Sequence, residues 1–533
     1  MENVKHTDAL IVGAGLSGLM MAAQLLRFGI HPTIVDAKPG PGREPDSILL
    51  HARSLELFRQ LGLADELLAK GKSFYTIQLS GQPHTADTYN VSQFVTADTA
   101  FPFIQRADQR HVERLLLNWL AEKACPVAWE TRLESLKQDD GQATATLVHK
   151  GIHQHWLCSW VIAADGQHST LRNLLGIPFE GRTHLRGFFV ADVVAARADN
   201  RKISLFLHHT RALVTVPLDA ADSYRIIGTL ADANGPDGPL KPSAIKELVD
   251  GALGFNLPPE KYRGVRRFSC RKAVAEQLHR QRCFLIGDAA HAVSPLMSRG
   301  MNEGLYDAAN LAWKLAGVVN GRMAPGVLHT YHEERLPAIK AGSGVFEVGH
   351  TGRHRPNWLK ATWLKLIYRT APQPDRLMQS FRCLAGLDVT YRRSPLSVHH
   401  ALGAHIQAGD RLPYLPVFDE KSKTQTDLHR WCETPGFILL VMGTVSHHYL
   451  NIIGRWMQQK YPREMHLYYL PYSERNREVF QAFEMNPANT KIVLIRPDMY
   501  IAYINDILNV SLIDTYMEEV LGWKYFFDTQ RNH

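Results

Sequence analysis

Three glycines near the amino terminus are the first residues whose type and spacing could do chemistry. The segment reads Gly13-Ala14-Gly15-Leu16-Ser17-Gly18. The first glycine permits a tight turn, the second lets the backbone approach a pyrophosphate, and the third lets a helix pack closely on a strand. Asp36 lies at the end of the next predicted strand, where a carboxylate can accept hydrogen bonds from a ribose. This spacing predicts a dinucleotide site for either FAD or NAD, with phosphates at the helix N-terminus.

A second acidic position follows a short apolar run that ends in Gly287-Asp288. A glycine there removes the side chain that would block a ligand, so the carboxylate of Asp288 could accept from a ligand hydroxyl. Taken alone, an aspartate at this point is also a common helix N-cap. The segment that begins at Pro295 and includes Gly300-Met301-Asn302 then opens a long apolar helix, which favours a ligand site.

Three further segments carry polar residues at suggestive positions. Asp165-Gly166 follows a buried strand and is followed by Ser169 and Arg172. Arg53 lies in the segment 50–56, and Gln109 begins a helix that carries Glu113. In isolation the first is an ordinary turn and the other two are ordinary amphipathic helix ends. Their order along the whole chain favours a functional role.

The elements that must position these residues alternate between strand and helix. The run 9–12 predicts a buried strand, 19–28 a helix, and 32–35 a second strand that ends on Asp36. A helix over 109–124, a buried strand at 160–164 and another at 283–286 continue the pattern. Residues 180–275 alternate apolar and polar side chains in short runs, which predicts an inserted, mainly antiparallel sheet.

Together these motifs closely resemble the class A FAD-dependent aromatic monooxygenases, the para-hydroxybenzoate hydroxylase-like family. The resemblance implies that FAD contacts the 13–18 turn, Asp36, Arg53, Gln109, Asp165 and Gly287. It implies that Asp288 binds the ribityl chain and that the backbone of Gly300-Met301-Asn302 lies against the flavin pyrimidine edge. A helix N-terminus there would stabilise the reduced, anionic flavin. Pro295 is implied to contribute a catalytic backbone contact near the reacting face.

The carboxyl-terminal third resembles the larger members of that family, the phenol and polyketide hydroxylases, at 386–391, 409–413 and 495–503. The implied fold is α/β, with a Rossmann-like FAD-binding domain over 1–175 and 276–345. A substrate-binding β-sheet domain covers 176–275, a helical connection 346–400, and a thioredoxin-like domain 401–533. That last domain has no Cys-x-x-Cys pair, so thiol redox chemistry is not expected there.

The resemblance also implies a reaction. NADPH or NADH reduces FAD, O₂ adds to give a C4a-hydroperoxyflavin, and one oxygen atom passes to a phenolic or polyketide-like aromatic substrate. The carboxyl-terminal domain is implied to have a structural or oligomerisation role, and a homodimer is one possible assembly. Two departures from the family pattern concern the flavin: Met297-Ser298-Arg299-Gly300 replaces a turn with two leading glycines, and Asp46 replaces an arginine that helps to hold the mobile ring.

Composition excludes several other classes of protein. Net charge is +8 and dispersed, without a recognised nucleic-acid motif, so no nucleic-acid partner is expected. Six scattered cysteines and a charged start without a signal peptide predict the cytoplasm. No apolar run reaches the length of a membrane span, and no His or Cys spacing predicts a metal site.

Other functions remain open at this point. Baeyer–Villiger or inactivating oxygenation of a polycyclic substrate would use the same scaffold. A non-catalytic flavin-binding interaction protein would need neither reductant nor oxygen. A plain NAD dehydrogenase would leave residues 287–304 as ordinary structure.

Overall fold

The computed structural model describes most of the chain. It covers residues 4–42, 47–82, 85–95, 98–181, 186–195, 199–208, 211–230, 235–270, 272–293, 295–342, 374–403 and 405–525. Asp46 and residues 346–373 of the predicted helical connection lie outside the described residues.

The amino-terminal domain is built on a mainly parallel sheet. The first strand carries the buried run predicted from the sequence, with residues 9–11 fully inaccessible. It pairs in parallel with strands on both sides, as expected when helices cover both faces of a sheet. In spatial order the strands are His279–Arg280, Cys283–Leu285, Ile152–Ala163, Lys5–Val12, Thr33–Val35 and Val127–Ala128. Two more strands branch from this order: Ala143–His149 pairs with Ile152–Ala163, and Thr131–Gln138 pairs with Ala143–His149.

Three helices link this sheet to the predicted motifs. Leu16–Arg27 begins directly after the glycine turn, and Gln109–Glu122 packs beside it. Arg299–Val319, here called the core helix, packs against Leu16–Arg27 and is buried over most of its length. The predicted Rossmann-like arrangement of strand, glycine turn and helix is confirmed. Smaller elements of this region are Ser47–Leu50, Ala52–Gln60, Ala64–Ala69, Lys72–Phe74, Ser92–Val95, Ile104–Asp108, Thr170–Leu174, Phe179–Glu180, Ala273–Ala275, His291–Ala292, Pro325–Leu328 and His329–Gly342.

A second, eight-stranded sheet is antiparallel except at one pair. Its order is Gly238–Pro239, Tyr262–Cys270, Arg186–Val194, Ser223–Thr229, Arg211–Pro217, Ile203–His208, Thr76–Gln82 and Thr85–Asn90. The last two strands come from outside 176–275, so this sheet is assembled from two separate stretches of chain. Ile203–His208 joins them through the parallel pair with Thr76–Gln82. The helix Lys246–Leu253 covers one face.

The carboxyl-terminal region carries a five-stranded sheet. Its order is Val398–His400, Ile501–Asn505, Thr490–Ile495, Phe437–Gly443 and Met465–Leu470. A parallel pair, 437–443 with 465–470, is joined by the helix His447–Lys460, and the antiparallel pair 490–495 with 501–505 follows. This order supports the thioredoxin-like assignment, which stays a prediction. The remaining elements there are Pro374–Leu384, Pro416–Asp419, Thr424–Asp427, Leu428–Trp431, Arg477–Ala482, Val510–Thr515 and Tyr516–Val520.

Two properties bear on the setting of the molecule. Within the ranges given above, none of the helices is both long and apolar enough to cross a membrane. All six cysteines are free thiols.

Candidate cofactor site

The glycine turn after the first strand shows three different reasons for glycine. Gly13 has a φ of 108°, and a Cβ there would lie 2.2 Å from the carbonyl oxygen of Ala164. A Cβ on Gly18 would lie 2.0 Å from the carbonyl oxygen of Gly13. A Cβ on Gly15 would meet nothing within 4 Å. Gly13 and Gly18 are therefore required by the fold itself, whereas Gly15 faces open space in which a ligand could approach the backbone.

The carboxylate of Asp36 lies beside this turn. Its Oδ2 accepts from the backbone N–H of Ala14 at 2.7 Å, and its Oδ1 accepts from the N–H of Lys38 at 2.8 Å. Each carboxylate oxygen can accept more than one hydrogen bond, so both retain acceptor capacity. Asp36 thus orders the turn and could still bind a ribose hydroxyl.

The Gly287-Asp288 turn is held from within the protein. Gly287 has a φ of 57°, and its N–H donates to Oδ2 of Asp307 at 3.0 Å. The same oxygen lies 2.6 Å from Nε2 of His291, and Oδ1 of Asp307 accepts from Nε of Arg335 at 2.8 Å. Asp307 is completely buried, so it acts as the internal anchor of this turn.

Asp288 itself faces outward. Its side chain is accessible to solvent, yet protein surrounds it closely enough for desolvation to raise the pKa of its carboxyl, against the opposing effect of His291. The two observations agree if the carboxyl lies in a concave groove, open at one side and enclosed elsewhere. An accessible acceptor in such a groove is suited to a ligand hydroxyl.

Ser17 joins the first turn to the second. A Cβ on Gly287 would lie 2.4 Å from Ser17 Oγ, and a Cβ on Gly304 would lie 2.2 Å from the same atom. The start of the first helix, the Gly287 turn and the core helix therefore meet at one point. Leu16, next to it, is buried in the core and contributes packing through its side chain.

The core helix begins beside Asp288 with an unusual backbone. Met297 and Ser298, in the turn Leu296–Ser298, have φ values of 61° and 54°, in the left-handed region that favours glycine. These are the positions where the sequence lacks the two glycines of the family pattern. No side chain caps the helix, and Gly300 and Met301, in its first turn, are half-buried. Pro295 is also half-buried, and its carbonyl accepts from the N–H of Ser298 at 3.2 Å.

Asn302 acts through its side chain on the protein. Its Oδ1 accepts from the N–H of His51 at 3.0 Å and from Ser54 Oγ at 2.6 Å. Its Nδ2 donates to the carbonyls of Leu49 and Ser298 at 2.9 and 2.8 Å. The amide therefore joins residues 49–54 to the start of the core helix and has no donor left for a cofactor.

His51 supports the same turn from the other side. Its Nε2 lies 2.8 Å from the carbonyl oxygen of Met297, so the ring N–H donates there. Burial, reinforced by Arg299, lowers the pKa of His51 to about 4, which keeps the ring neutral at pH 7. His51 lies within the segment 50–56, but its role could not be predicted from the sequence, which there pointed to Arg53.

Asp165 lies against the first glycine turn. Its backbone nitrogen would be 2.8 Å from a Cβ on Gly13. Its Oδ2 accepts from the N–H groups of Thr170 and Leu171 at 2.7 and 3.2 Å, while Oδ1 is buried without a hydrogen-bond partner in the described part of the chain. Burial raises the pKa of this carboxyl. An unmatched acceptor beside the turn is a second indication that a ligand donor belongs here.

Gln109 and Arg53 are placed differently. Gln109 is half-buried, and its Nε2 donates to Glu113 within its own helix at 2.8 Å. Arg53 is 3% exposed, pairs with Glu56 at 3.1 Å and donates to the carbonyl of Asp498 at 2.7 Å. These contacts join Arg53 to the carboxyl-terminal region, and its contact with FAD stays a prediction.

These parts fit an extended dinucleotide with a redox ring at one end. Open space lies over Gly15, an acidic residue stands at each turn, and the uncapped helix N-terminus lies 3.8 Å from Asp288, measured from Oδ1 to a Cβ on Gly300. A helix N-terminus favours negative charge, which a reduced flavin carries on its ring. Within the described ranges no cluster of three or more His, Cys, Asp or Glu side chains could hold a metal ion.

The class that fold and groove define is an α/β dinucleotide-binding protein with a second, antiparallel sheet. The family described as FAD binding domain matches residues 6–342. The chain belongs to that family, and its amino-terminal domain is an FAD-binding domain.

Curated relatives are monooxygenases. The chain is 32% identical over 338 residues to 6-methylpretetramide 4-monooxygenase of Streptomyces rimosus, a match that covers 62% of this chain and 59% of that enzyme. It is 29% identical over 423 residues to pentachlorophenol 4-monooxygenase of Sphingobium chlorophenolicum, covering 76% and 75%. A crystal structure of aklavinone-11 hydroxylase with FAD and aklavinone has a TM-score of 0.78 and 21% identity, covering 98% of this chain and 100% of that one. That last likeness shows a shared fold across the described domains.

Proposed function

We propose that the protein is an FAD-dependent monooxygenase that uses NADPH or NADH and O₂ to hydroxylate a phenolic or polyketide-like aromatic molecule. The observation that carries the proposal is that the three motifs touch one another inside a domain of the FAD-binding family: the backbone of Asp165 lies against Gly13, and Gly287, next to Asp288, lies against Ser17. Both curated relatives above are named as monooxygenases of ring compounds, which supports the same reaction class.

Bound FAD would accept a hydride from the nicotinamide and activate O₂ for insertion of one oxygen atom. The protein's own residues bind and orient. The backbone at Gly15 through Gly18 approaches the pyrophosphate, and Asp36 accepts from the ribose. Asp288 accepts from the ribityl chain. Asp165 supplies its unmatched oxygen nearby.

The start of the core helix positions the redox ring in this proposal. The N–H groups of Gly300, Met301 and Asn302 would face the pyrimidine edge, where the helix dipole favours negative charge. The turn at Pro295 would limit access of water to the reacting face. Gly287 contributes by allowing Ser17 to pack against it, and Gln109, at the start of the helix Gln109–Glu122, would contact FAD.

Three wider expectations accompany the proposal. The aromatic substrate would lie between the antiparallel sheet and the flavin domain. The reductant would bind transiently at the surface, because the described chain has one glycine turn of the dinucleotide type. We also propose a cytoplasmic homodimer; free thiols agree with a reducing compartment, and sedimentation of the purified chain tests the dimer.

Spectra and turnover of the purified chain test the proposal. The protein should show flavin absorption bands and consume O₂ with NADPH or NADH when phenolic or polyketide substrates are added. In the Asp288→Ala variant the affinity for flavin should fall about tenfold or more, because the substitution removes one hydrogen-bond acceptor from the groove. Asp65→Ala, an exposed carboxylate on a distant helix, is the matched control and should keep its flavin.

Product analysis separates the alternatives. A product heavier by one oxygen atom with a new ring hydroxyl supports hydroxylation. A lactone would instead show Baeyer–Villiger chemistry on the same scaffold. Flavin binding without substrate-stimulated oxidation of NADPH or NADH would contradict the proposed activity, and an Asp288→Ala variant that retains its flavin would contradict the site assignment.

A further inference from the structure

A large cavity lies far from the flavin groove, where the carboxyl-terminal end of the core helix meets the carboxyl-terminal region. Its volume is about 540 Å³, within the range of small-molecule sites. The walls carry aromatic rings and cations, chiefly Trp313, Phe437, Trp523, Arg27, Arg322 and Arg463.

The cavity is separate from the proposed reaction site. Trp313 and Ala316, on the core helix, face the cavity, whereas Gly300 lies at the opposite end of that helix. Thirteen residues of helix at about 1.5 Å each put Trp313 about 20 Å from Gly300. A ligand there cannot exchange a hydride or an oxygen atom with the flavin ring, so the cavity would serve binding only.

Its aromatic wall is rigid and well suited to a flat ring. Trp313 and Phe437 meet edge-to-face with ring centroids 5.6 Å apart, and Phe437 meets Trp523 edge-to-face at 6.4 Å. Both indoles are at most 6% exposed. Their ring N–H groups are buried and have no acceptor among the described residues, so the indoles present apolar ring surface to the cavity.

The charge of the lining is positive. The guanidinium of Arg27 donates hydrogen bonds to the backbone carbonyls of Cys432 and Glu433, both at 2.9 Å. These carbonyls are uncharged, so they do not neutralise the positive charge of Arg27. Arg322 pairs with Glu464 at 2.9 Å. The guanidinium of Arg463 is exposed and forms no ion pair with any described residue. Glu464, which also lines the cavity, therefore compensates the charge of Arg322. It does not neutralise the other two positive charges of the lining, those of Arg27 and Arg463.

We propose that this cavity is a second binding site, for a planar aromatic molecule that carries one carboxylate. The ring lies against the Trp313, Phe437 and Trp523 wall, and the carboxylate pairs with Arg463 at the mouth. A guanidinium is the side chain best matched to a carboxylate, through two parallel hydrogen bonds. The proposal does not depend on the proposed oxygenase activity.

Calorimetric titration of the FAD-loaded full chain tests this assignment, with 2-naphthoate as the probe and 2-naphthamide as its neutral counterpart. The expected result is that 2-naphthoate binds about tenfold more tightly than the amide. Arg463→Glu should weaken 2-naphthoate by about tenfold or more and leave the amide unchanged. Arg455→Glu reverses an equally exposed charge on the helix His447–Lys460, away from the cavity, and is the matched control.

A second variant keeps the test independent of charge. Ala316→Leu places a larger side chain in the cavity wall and should weaken both probes, with its thermal midpoint measured to confirm that it folds. The site assignment is overturned by any of three results: no binding of 2-naphthoate, equal affinity for acid and amide, or full affinity in both Arg463→Glu and Ala316→Leu. An aromatic acid held instead in the substrate pocket would give this last result.

Discussion

The flavin groove and the contact between the core helix and the carboxyl-terminal region both concentrate charged groups, yet they treat them in opposite ways. At the contact, Arg496 pairs with Glu334 at 2.6 Å and also with Asp498, and Lys314 reaches Glu334 at 2.8 Å. All four are buried. In the groove, Asp288 is accessible, and Asp165 keeps an oxygen without a partner in the described chain.

The difference shows how a structural charge is told from one kept for a ligand. Buried ions are tolerated where opposite charges and hydrogen bonds compensate them, as at the contact. An acceptor left unmatched in a groove costs free energy unless something binds there. A buried charge alone therefore does not indicate a ligand site. A charged group that lacks hydrogen-bond partners and lies beside an opening does indicate one.

The largest expected effect comes from breaking the contact. Arg496→Ala leaves Glu334 and Asp498 buried with fewer partners, and we expect the free energy of unfolding to fall by about 3–5 kcal/mol. Denaturant unfolding followed by fluorescence measures it. Arg477→Ala, an exposed pair with Glu474 at 3.8 Å, should cost at most about 1 kcal/mol. Equal losses of unfolding free energy in the two variants would show that the buried ion pairs at the contact are no more important for stability than an exposed pair.

A pair of glycine variants sharpens the comparison inside the groove. Gly18→Ala should destabilise the protein by about 1–3 kcal/mol, because its Cβ would meet the backbone of Gly13. Gly15→Ala meets nothing in the protein, so stability without cofactor should be unchanged while FAD affinity falls about tenfold. Thermal unfolding of the cofactor-free protein and flavin titration measure the two effects separately. A Gly15→Ala variant with unaltered flavin affinity would show that no ligand approaches this backbone.

The smallest effect concerns pH and His51. Because burial lowers its pKa to about 4 in the folded protein, against an ordinary value of 6.5, the unfolded chain takes up the proton first as pH falls. The contribution of His51 to stability is therefore complete above pH 6.5 and decreases as pH falls from 6.5 toward 4. At pH 5.5 we expect a loss of roughly 1 kcal/mol relative to pH 7.

His51→Gln provides the comparison, since its amide can still donate to Met297 but does not titrate. The difference in unfolding free energy between the parent and this variant should change over this pH range. If the two proteins show the same pH dependence, His51 is not neutral and buried as described.

The steric demands of the amino-terminal glycine turn could be predicted from the sequence because their signals are local, whereas the contacts of the site residues with FAD stay predictions. Gly13, Gly15 and Gly18 lie within six residues, and their steric roles follow from glycine itself. The role of Arg53 could not be predicted in the same way, since its partner carbonyl at Asp498 is 445 residues away in sequence. The strands 76–82 and 85–90 joined the second sheet for a similar, non-local reason. Asp307 and Lys314 did leave a signal: charged residues within an apolar helix that is buried on most sides.

Ser17 restricts which substitutions this protein can accept during evolution. Its hydroxyl lies against two glycines from a segment some 270 residues later in the chain, so neither partner can gain a side chain while Ser17 stays as it is. Positions 17, 287 and 304 should therefore covary among homologues. A chimaera that takes only its first fifty residues from a relative keeps Gly287 and Gly304, so it should assemble well only where that relative has a residue no larger than serine at the position of Ser17.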